Sequence, residues 1–375
     1  MSLRPMLLRT AAIAGKETLH IRRDPRTLYL ALGMPLVLLL LFGYGVGFDL
    51  EDIPLAWVDP APSASSRALA RAFESSGEFQ LQGAPDAAQA QRTLVHGRAM
   101  AAMVVPRDYE ARLLEGEDVQ VQLLVDGADA VTANQVLAKA EAIVRAASRA
   151  RLGLEAQRER PPVQVKVWTR YNPEGRSALF MVPGLAAYLL AISAVLLTAL
   201  AIAGEWERGS MEQLFASPVG RLELVLGKLL PYLALGMLQL LLVLAFGATA
   251  FQVPIRGSLP LVFVAGLLFL VGMLGQGLLI SVVTKNQLVA TQAGALSALL
   301  PSMLLSGMIF PVENMPLPLR LLSNVVPARH LVHVLRGVLL KGNGFATLWP
   351  QLLAMLLFGV AMLALAIRRF ERRVA

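Results

Sequence analysis

The sequence predicts an α-helical polytopic membrane protein: six transmembrane helices, with an extracytoplasmic α/β domain inserted between the first and second. Three observations carry this. Hydrophobic residues make up 56% of the chain and mean hydropathy is +0.59, while charged residues are held to 16%. That balance lies outside ordinary soluble domains. The excess is gathered into six runs without a charged side chain, at 28–48, 178–203, 229–251, 259–284, 288–310 and 349–367. Each holds about 19 residues or more, enough to cross a hydrocarbon core about 30 Å thick at about 1.5 Å per residue. Between the first two runs, residues 49–176 return to a soluble composition. Helices are expected in the runs because lipid offers backbone N–H and C=O groups no partner.

Residues 1–26 read as an amphipathic helix lying on the cytoplasmic membrane surface. At 100° per residue, Leu3, Leu7, Ala11, Ala14, Thr18 and Ile21 share a face, and Arg9, Lys16, His20 and Arg23 oppose them. Arg9, Lys16 and Arg23 are the expected anchors to lipid head groups, with Arg4 and Arg22 near the apolar edge. The charged section reaches Arg26 and the apolar run then exceeds a signal-peptide h-region, so 27–48 is expected to remain as the first span. Pro35 should kink it, and Gly43 with Gly47 has the spacing that lets helices approach closely.

In 49–176, strand-like runs at 54–59, 79–82, 99–105, 119–125 and 163–170 alternate with helix-like stretches at 63–75, 86–96, 108–115 and 130–154. Alternation of that kind predicts one compact α/β domain. Little in it points to chemistry. Asp126 and Asp129 follow a strand without a third ligand placed by spacing, His96 stands alone at a helix end, and no glycine-rich dinucleotide motif occurs. Trp168, Tyr171 and Asn172-Pro173 suit a return to the interface.

The remaining 177–375 holds five runs. The second and third are separated by a charged island, Gly204-Glu205-Trp206-Glu207-Arg208-Gly209-Ser210-Met211-Glu212-Gln213-Leu214, within a loop taken as 204–228. Glycine, serine and asparagine would turn the chain more simply than three carboxylates, an arginine and a tryptophan. On physics alone two readings stand: solvated interfacial charge, and a docking loop pinned near the bilayer, with 210–215 suited to a turn or two of surface helix. Lys285-Asn286-Gln287 closes a membrane hairpin. Segment 311–348 is proline-rich yet apolar, and is expected to form two short re-entrant or interfacial helices over 317–326 and 331–340.

The chain has no cysteine, which removes disulfides and thiolate ligands. Net charge is +8, but residues 1–48 carry +4, residues 49–176 carry −3 and the remainder +7. The basic excess flanks the spans, where it favours cytoplasmic retention, so no nucleic acid is implied. Both termini are basic, with Arg368, Arg369, Arg372 and Arg373 at the end, and an even number of spans places both inside. Against that count, the outer 310–349 loop carries Arg320, Arg329, Arg336 and Lys341 with Glu313 alone.

Two energy sources find no support. The uncharged runs hold Gln239, Gln276, Gln292 and Gln351 as strong amides, and no ionisable group for a coupling ion. Residues 220–228 lack phosphate-loop spacing, and Leu229 stands where a hydroxyl would meet magnesium. The chain is therefore not expected to be an ATPase, to bind a cofactor or to hold a metal.

Glu205-x-Glu207-Arg208-Gly209-Ser210-x-Glu212-Gln213-Leu214, followed by Ser217-Pro218-Val219, resembles the cytoplasmic loop of ABC-2 type transporter permeases. The resemblance extends to Lys16-Glu17 with Arg23-Asp24-Pro25-Arg26, to Arg170-Tyr171-Asn172-Pro173, to Val182-Pro183-Gly184, and to Gly307-x-x-Phe310-Pro311 with Met315-Pro316. It covers nearly the whole chain and is nearest the large-loop branch of bacterial inner-membrane permeases linked with multidrug export. It implies an exporter subunit moving a hydrophobic drug-like or lipid-like substrate, driven by a cytoplasmic ATPase subunit that carries the ATP and magnesium. It also implies a second permease chain, identical or homologous, and leaves room for a periplasmic adaptor. Glu205, Glu207, Arg208, Gly209, Ser210 and Glu212 would seat on the ATPase, and Gly307, Phe310, Pro311, Pro316 and Pro327 would form the outer mouth. Two other classes remain open: a non-transporting scaffold that binds a partner through 49–176, and an ion-driven exporter.

Overall fold

The computed structural model describes residues 3–45, 52–117, 119–126, 130–155, 176–211 and 219–369. The chain divides into two compact units, Met1–Gly47 with Thr169–Ala375, and Phe48–Trp168.

In the first unit, helix α1 (Leu3–Arg23) turns at Asp24 into α2 (Pro25–Leu28). The Asp24 carboxylate accepts the Arg26 amide (3.0 Å) and the Thr27 hydroxyl (2.6 Å), and Pro25 sits where a helix needs no N–H. A π-helical turn, Tyr29–Gly33, leads into α3 (Met34–Gly45). Pro35 accounts for it. With no N–H at that position the hydrogen-bond ladder slips, and the Met34 amide reaches back to the Tyr29 carbonyl. Gly43 is a close-contact point, since a Cβ there would lie 2.2 Å from the Phe251 ring; Gly47 lies outside the described residues.

The second unit holds a four-stranded sheet in the order β2-β1-β3-β4. Strands β1 (Ile53–Val58), β2 (Phe79–Ala84) and β3 (Ala101–Val104) are parallel, and β4 (Gln122–Val125) runs antiparallel to β3. Period-two alternation splits β1 between two cores. Ile53, Leu55 and Trp57 meet Leu69 and Phe73 of α4 (Ala64–Ser75), with Val136 and Ala140 of a long helix described below. Ala56 and Val58 meet Ala90 of α5 (Ala87–Val95) on the opposite face. Helices α6 (Tyr109–Leu114) and α7 (Ala130–Glu155), the long one, complete the unit. Asp129 and the run at 163–170 lie outside the described residues, as does the return segment 168–173.

The first unit continues with α8 (Ser177–Glu207), α9 (Arg221–Ala250), α10 (Leu259–Thr284), α11 (Gln287–Leu304), α12 (Leu317–Ser323), α13 (Pro327–Lys341) and α14 (Phe345–Arg369). Helix α8 is central, packing on α3, α9, α10, α11 and α13. Its apolar window is 78% buried, against 22% for α14 and 17% for the first span, so those two leave broad apolar faces uncovered.

Among the described residues, five helices are long and apolar enough to cross a membrane: Pro25–Gly43, Ala178–Glu207, Arg221–Ala250, Leu259–Thr284 and Phe345–Arg369. Five of the six runs expected from sequence appear in these helices; the run at 288–310 yields α11, an 18-residue helix ending at Leu304 and made less apolar by Gln287, Thr291, Gln292 and Ser297. Beyond it, Gly307 takes a left-handed φ of 80° and turns the chain. A further boundary differs at Pro327, which opens α13 instead of separating two helices. At a first-turn position its missing N–H costs nothing.

Candidate functional site

The charged island lies differently from its expected loop. Helix α8 runs on through Gly204–Glu207 and stops at Arg208, whose amide still bonds the Gly204 carbonyl. Gly209, with φ of 69°, supplies the left-handed terminus. At the far side, Gly220 precedes α9 and its amide is capped by Glu223 Oε2 at 2.8 Å, so 221–228 is helix as well. The connecting segment is 208–220, shorter than the 204–228 expected. Residues 212–218, including Glu212, lie outside the described residues.

Three consecutive residues on that last turn reach three different neighbours. Glu205 points inward, with its side chain 9% exposed, and pairs with Lys228 Nζ of α9. Its other oxygen accepts Lys16 Nζ of α1 at 3.4 Å. Trp206 lies under the Lys285 ammonium, 4.8 Å from the ring centroid, at the α10–α11 turn. Glu207 accepts the Gln287 amide at 2.8 Å, at the start of α11. Ser210 folds back to the Glu205 carbonyl (3.2 Å), and Met211 is fully buried beside it. A hub results: the end of α8 is fastened to α1, α9 and the α10–α11 turn.

Sequence suggests Glu205 as an ATPase contact, and the structure gives it partners within the chain. Its carboxylate faces the interior and serves contacts within the chain, whereas Arg208 and Gly209 stand at the surface end of the helix. The pairing of Lys228 with Glu17 was not read from sequence. Lys228 Nζ lies 3.1 Å from Glu17 Oε1, and their side chains are 3% and 6% exposed. A lysine inside an apolar helix is tolerated because two carboxylates meet it. Removing one partner of such a buried pair costs about 3–5 kcal/mol. The usable signal was the break that Lys228 makes between the apolar runs of α9.

The face of α1 is also reassigned. Thr10, Ile13, Glu17 and Ile21 are buried, and Leu7 from the expected apolar face is exposed, as are Leu8 and Leu19. Thr10 and Ile13 press on Gly227 of α9, where a Cβ would lie 2.7 Å from Ile13 Cβ. Of the expected lipid anchors, Arg9 pairs with Glu223 at 3.7 Å and Lys16 with Glu205, while Arg23 is exposed.

A second cluster lies at the opposite end of α8. Arg336 of α13 stacks 3.5 Å from the Phe180 ring centroid. It donates to the carbonyls of Phe180 (3.0 Å), Gly307 (2.9 Å) and Met308 (3.4 Å). Gly307 is buried there, Pro327 is buried at the start of α13, and Phe310, Pro311 and Pro316 are exposed. Arg329 likewise binds the Arg320 carbonyl and the Ser323 hydroxyl. These cations, counted against the topology in sequence, hold backbone turns in place.

Two amides of the apolar helices join neighbouring helices. Gln239 donates to Ser193 (3.2 Å, α9 to α8) and Gln276 to Ser297 (3.0 Å, α10 to α11). No group of three or more His, Cys, Asp or Glu able to hold a metal occurs among the described residues.

Comparison with known proteins identifies the family. Residues 25–368 match the family model described as ABC-2 family transporter protein. The probable multidrug ABC transporter permease YbhS of Escherichia coli is 32% identical over 367 residues, covering 98% of this chain and 97% of the relative. The probable multidrug ABC transporter permease YbhR of the same organism is 27% identical over 372 residues, covering 98% and 100%. ABC transporter G family member 20 of Dictyostelium discoideum is 24% identical over 374 residues, with 96% of this chain on 50% of that protein. The chain belongs to the ABC-2 family of transporter proteins.

Proposed function

We propose that this chain is the membrane subunit of an ATP-driven exporter that moves a hydrophobic, drug-like or lipid-like substrate outward. A separate cytoplasmic ATPase, carrying ATP and magnesium, drives it by pressing on segment 208–220. The observation that carries the reading is the hub at the end of α8, where Glu205, Trp206 and Glu207 fasten that segment to α1, α9 and the α10–α11 turn. A push there reaches four elements at once. Two permease chains enclose the path, each crossing the bacterial inner membrane six times with α11 as the short fifth crossing. Both termini are then cytoplasmic, and 49–176 lies outside, where a periplasmic adaptor has room to bind. The 311–348 segment, held by Arg336, forms the outer mouth. Lipid contacts the exposed Leu7, Leu8 and Leu19 of α1.

The test is purification of the tagged chain in gentle detergent from its native cells, scored for a co-purifying P-loop ATPase. The expected result is a stoichiometric ATPase with the wild-type chain and its loss with Glu207→Ala/Arg208→Ala, at unchanged membrane insertion. A preparation without an ATPase, still carrying an external partner through 49–176, refutes the transporter reading in favour of a scaffold.

A further inference from the structure

Lys228 is placed as a junction between elements far apart in the chain. Its ammonium bonds Glu17 of α1, 211 positions away, and Glu205 of α8, 23 positions away. All three side chains are under a tenth exposed, and Lys16 closes the group at its rim. Apolar packing alone would hold α1 on α9 at least as well, because buried ion pairs seldom outperform hydrophobic replacements in stability. What the ionic group adds is register. Sliding α1 by one residue, about 1.5 Å, would carry Glu17 out of hydrogen-bond reach. The neighbouring Gly227 brings the backbones together at the same level, with Thr10 O only 3.0 Å from where its Cβ would be. Helix α1 then continues through the capped corner at Asp24 into the first apolar span.

We infer that Lys228 is a two-ended ionic pin that makes α1, and through it the first span, move with the coupling segment. Lys228 and Glu17 are positioning residues and touch no substrate. The inference rests on the coupling role of 208–220 and adds a second output to it: force entering at the end of α8 leaves through α1 as well as through α9.

The sequence is free of cysteine, so pairs of spin labels can be introduced into the purified chain, before the ATPase is added back, without background thiols. One pair reports α1, Leu8→Cys with Val360→Cys; a second reports α9, Leu222→Cys with Val360→Cys; all three positions are more than half exposed. Distances are measured by pulsed electron resonance in the full complex, with the ATPase added back, nucleotide-free and trapped with ADP and vanadate. Each pair is measured in the wild type and in Lys16→Met/Glu17→Met, which removes both contacts of α1 with the ionic group and leaves Lys228 paired with Glu205. A second variant, Lys228→Met/Glu17→Gln/Glu205→Gln, leaves no buried charge and serves if the first does not assemble. The expected result is that both pairs shift on trapping in the wild type, while in the variant the Leu222 pair still shifts and the Leu8 pair does not. An unchanged Leu8 shift in the variant overturns the pin and leaves the coupling reading standing. Absence of any shift in the wild type refutes the coupling reading itself, and the pin with it.

Discussion

Substituting alanine for Gly227 gives the sharpest test of how α1 is held. The new Cβ would sit 2.7 Å from Ile13 Cβ, 2.9 Å from Ile13 Cγ2 and 3.0 Å from the Thr10 carbonyl oxygen. Ile13 Cγ2 can rotate away, but Ile13 Cβ and the Thr10 carbonyl move only if α1 moves. Relief to ordinary contact requires α1 to retreat by roughly 0.5–1 Å, and overpacking of that kind costs about 1–3 kcal/mol. The retreat also stretches the 3.1 Å bond between Lys228 and Glu17. A hydrogen bond to a charged group contributes about 1.5–3 kcal/mol, of which a part is lost. The net expectation is a weakening of α1 docking by about 2 kcal/mol, or about 30-fold in its opening equilibrium. Hydrogen–deuterium exchange of the detergent-solubilised chain reads this directly. Amides of 10–21 should exchange about 30-fold faster, with 259–284 unchanged. Exchange of 10–21 at the wild-type rate in a correctly inserted Gly227→Ala chain would refute the close crossing of α1 and α9.

Three further outcomes are expected. Asp24→Ala removes the acceptor for the Arg26 amide and Thr27 hydroxyl, weakening the α1–α2 corner by about 1 kcal/mol, seen as faster exchange confined to 24–28. The Thr27 hydroxyl bond holds the Asp24 carboxyl below its ordinary value of 3.8, so its contribution is complete above that value and fades as pH falls through the lower folded value. Exchange at 24–28 should therefore show no Asp24-dependent loss of protection between neutral pH and about 5, and such a loss only in stronger acid. Arg336→Met takes a donor from the Phe180, Gly307 and Met308 carbonyls, and should raise thiol labelling of a cysteine placed at Phe310 while lowering the thermal midpoint. In the α/β unit, Phe73 is fully buried between Trp57 and Phe79, at ring distances of 5.9 and 5.2 Å. Phe73→Ala should cost about 3–5 kcal/mol in exchange-derived stability of 53–105, whereas Val95→Ala, at an exposed helix end, should stay within about 0.5 kcal/mol.

Where a helix was bounded by its own local chemistry, sequence alone located it. The uncharged run 259–284 coincides with α10, because Ser258 and Pro260 favour its start and Lys285 leaves it in a left-handed turn. The Asn286 side chain then caps α11 by accepting the Val289 amide at 2.9 Å. Strand β1 at Ile53–Val58 falls within one residue of the apolar run at 54–59, since alternate residues must meet two different cores. Where a helix carried charge, the boundaries were misplaced. Both α8 and α9 run past the ends of their uncharged stretches, because Glu205 and Lys228 neutralise each other across the gap and so remain inside.

The order of apolar runs, the soluble stretch between the first two and the signature around Glu207-Arg208-Gly209 were all local or compositional. They establish a polytopic permease without coordinates, since hydrophobic length and a contiguous motif need no partner to be recognised. Which charges face inward was decided only by tertiary structure. Glu17, Glu205 and Lys228 stand far apart along the chain, and nothing in their spacing predicts that one ammonium serves two carboxylates. Arg336, read from sequence as a topological anomaly, becomes the clamp on three carbonyls once α13 folds against α8. Coulombic and hydrogen-bond partners are set by distance in space, and the packing of the helices determines that distance.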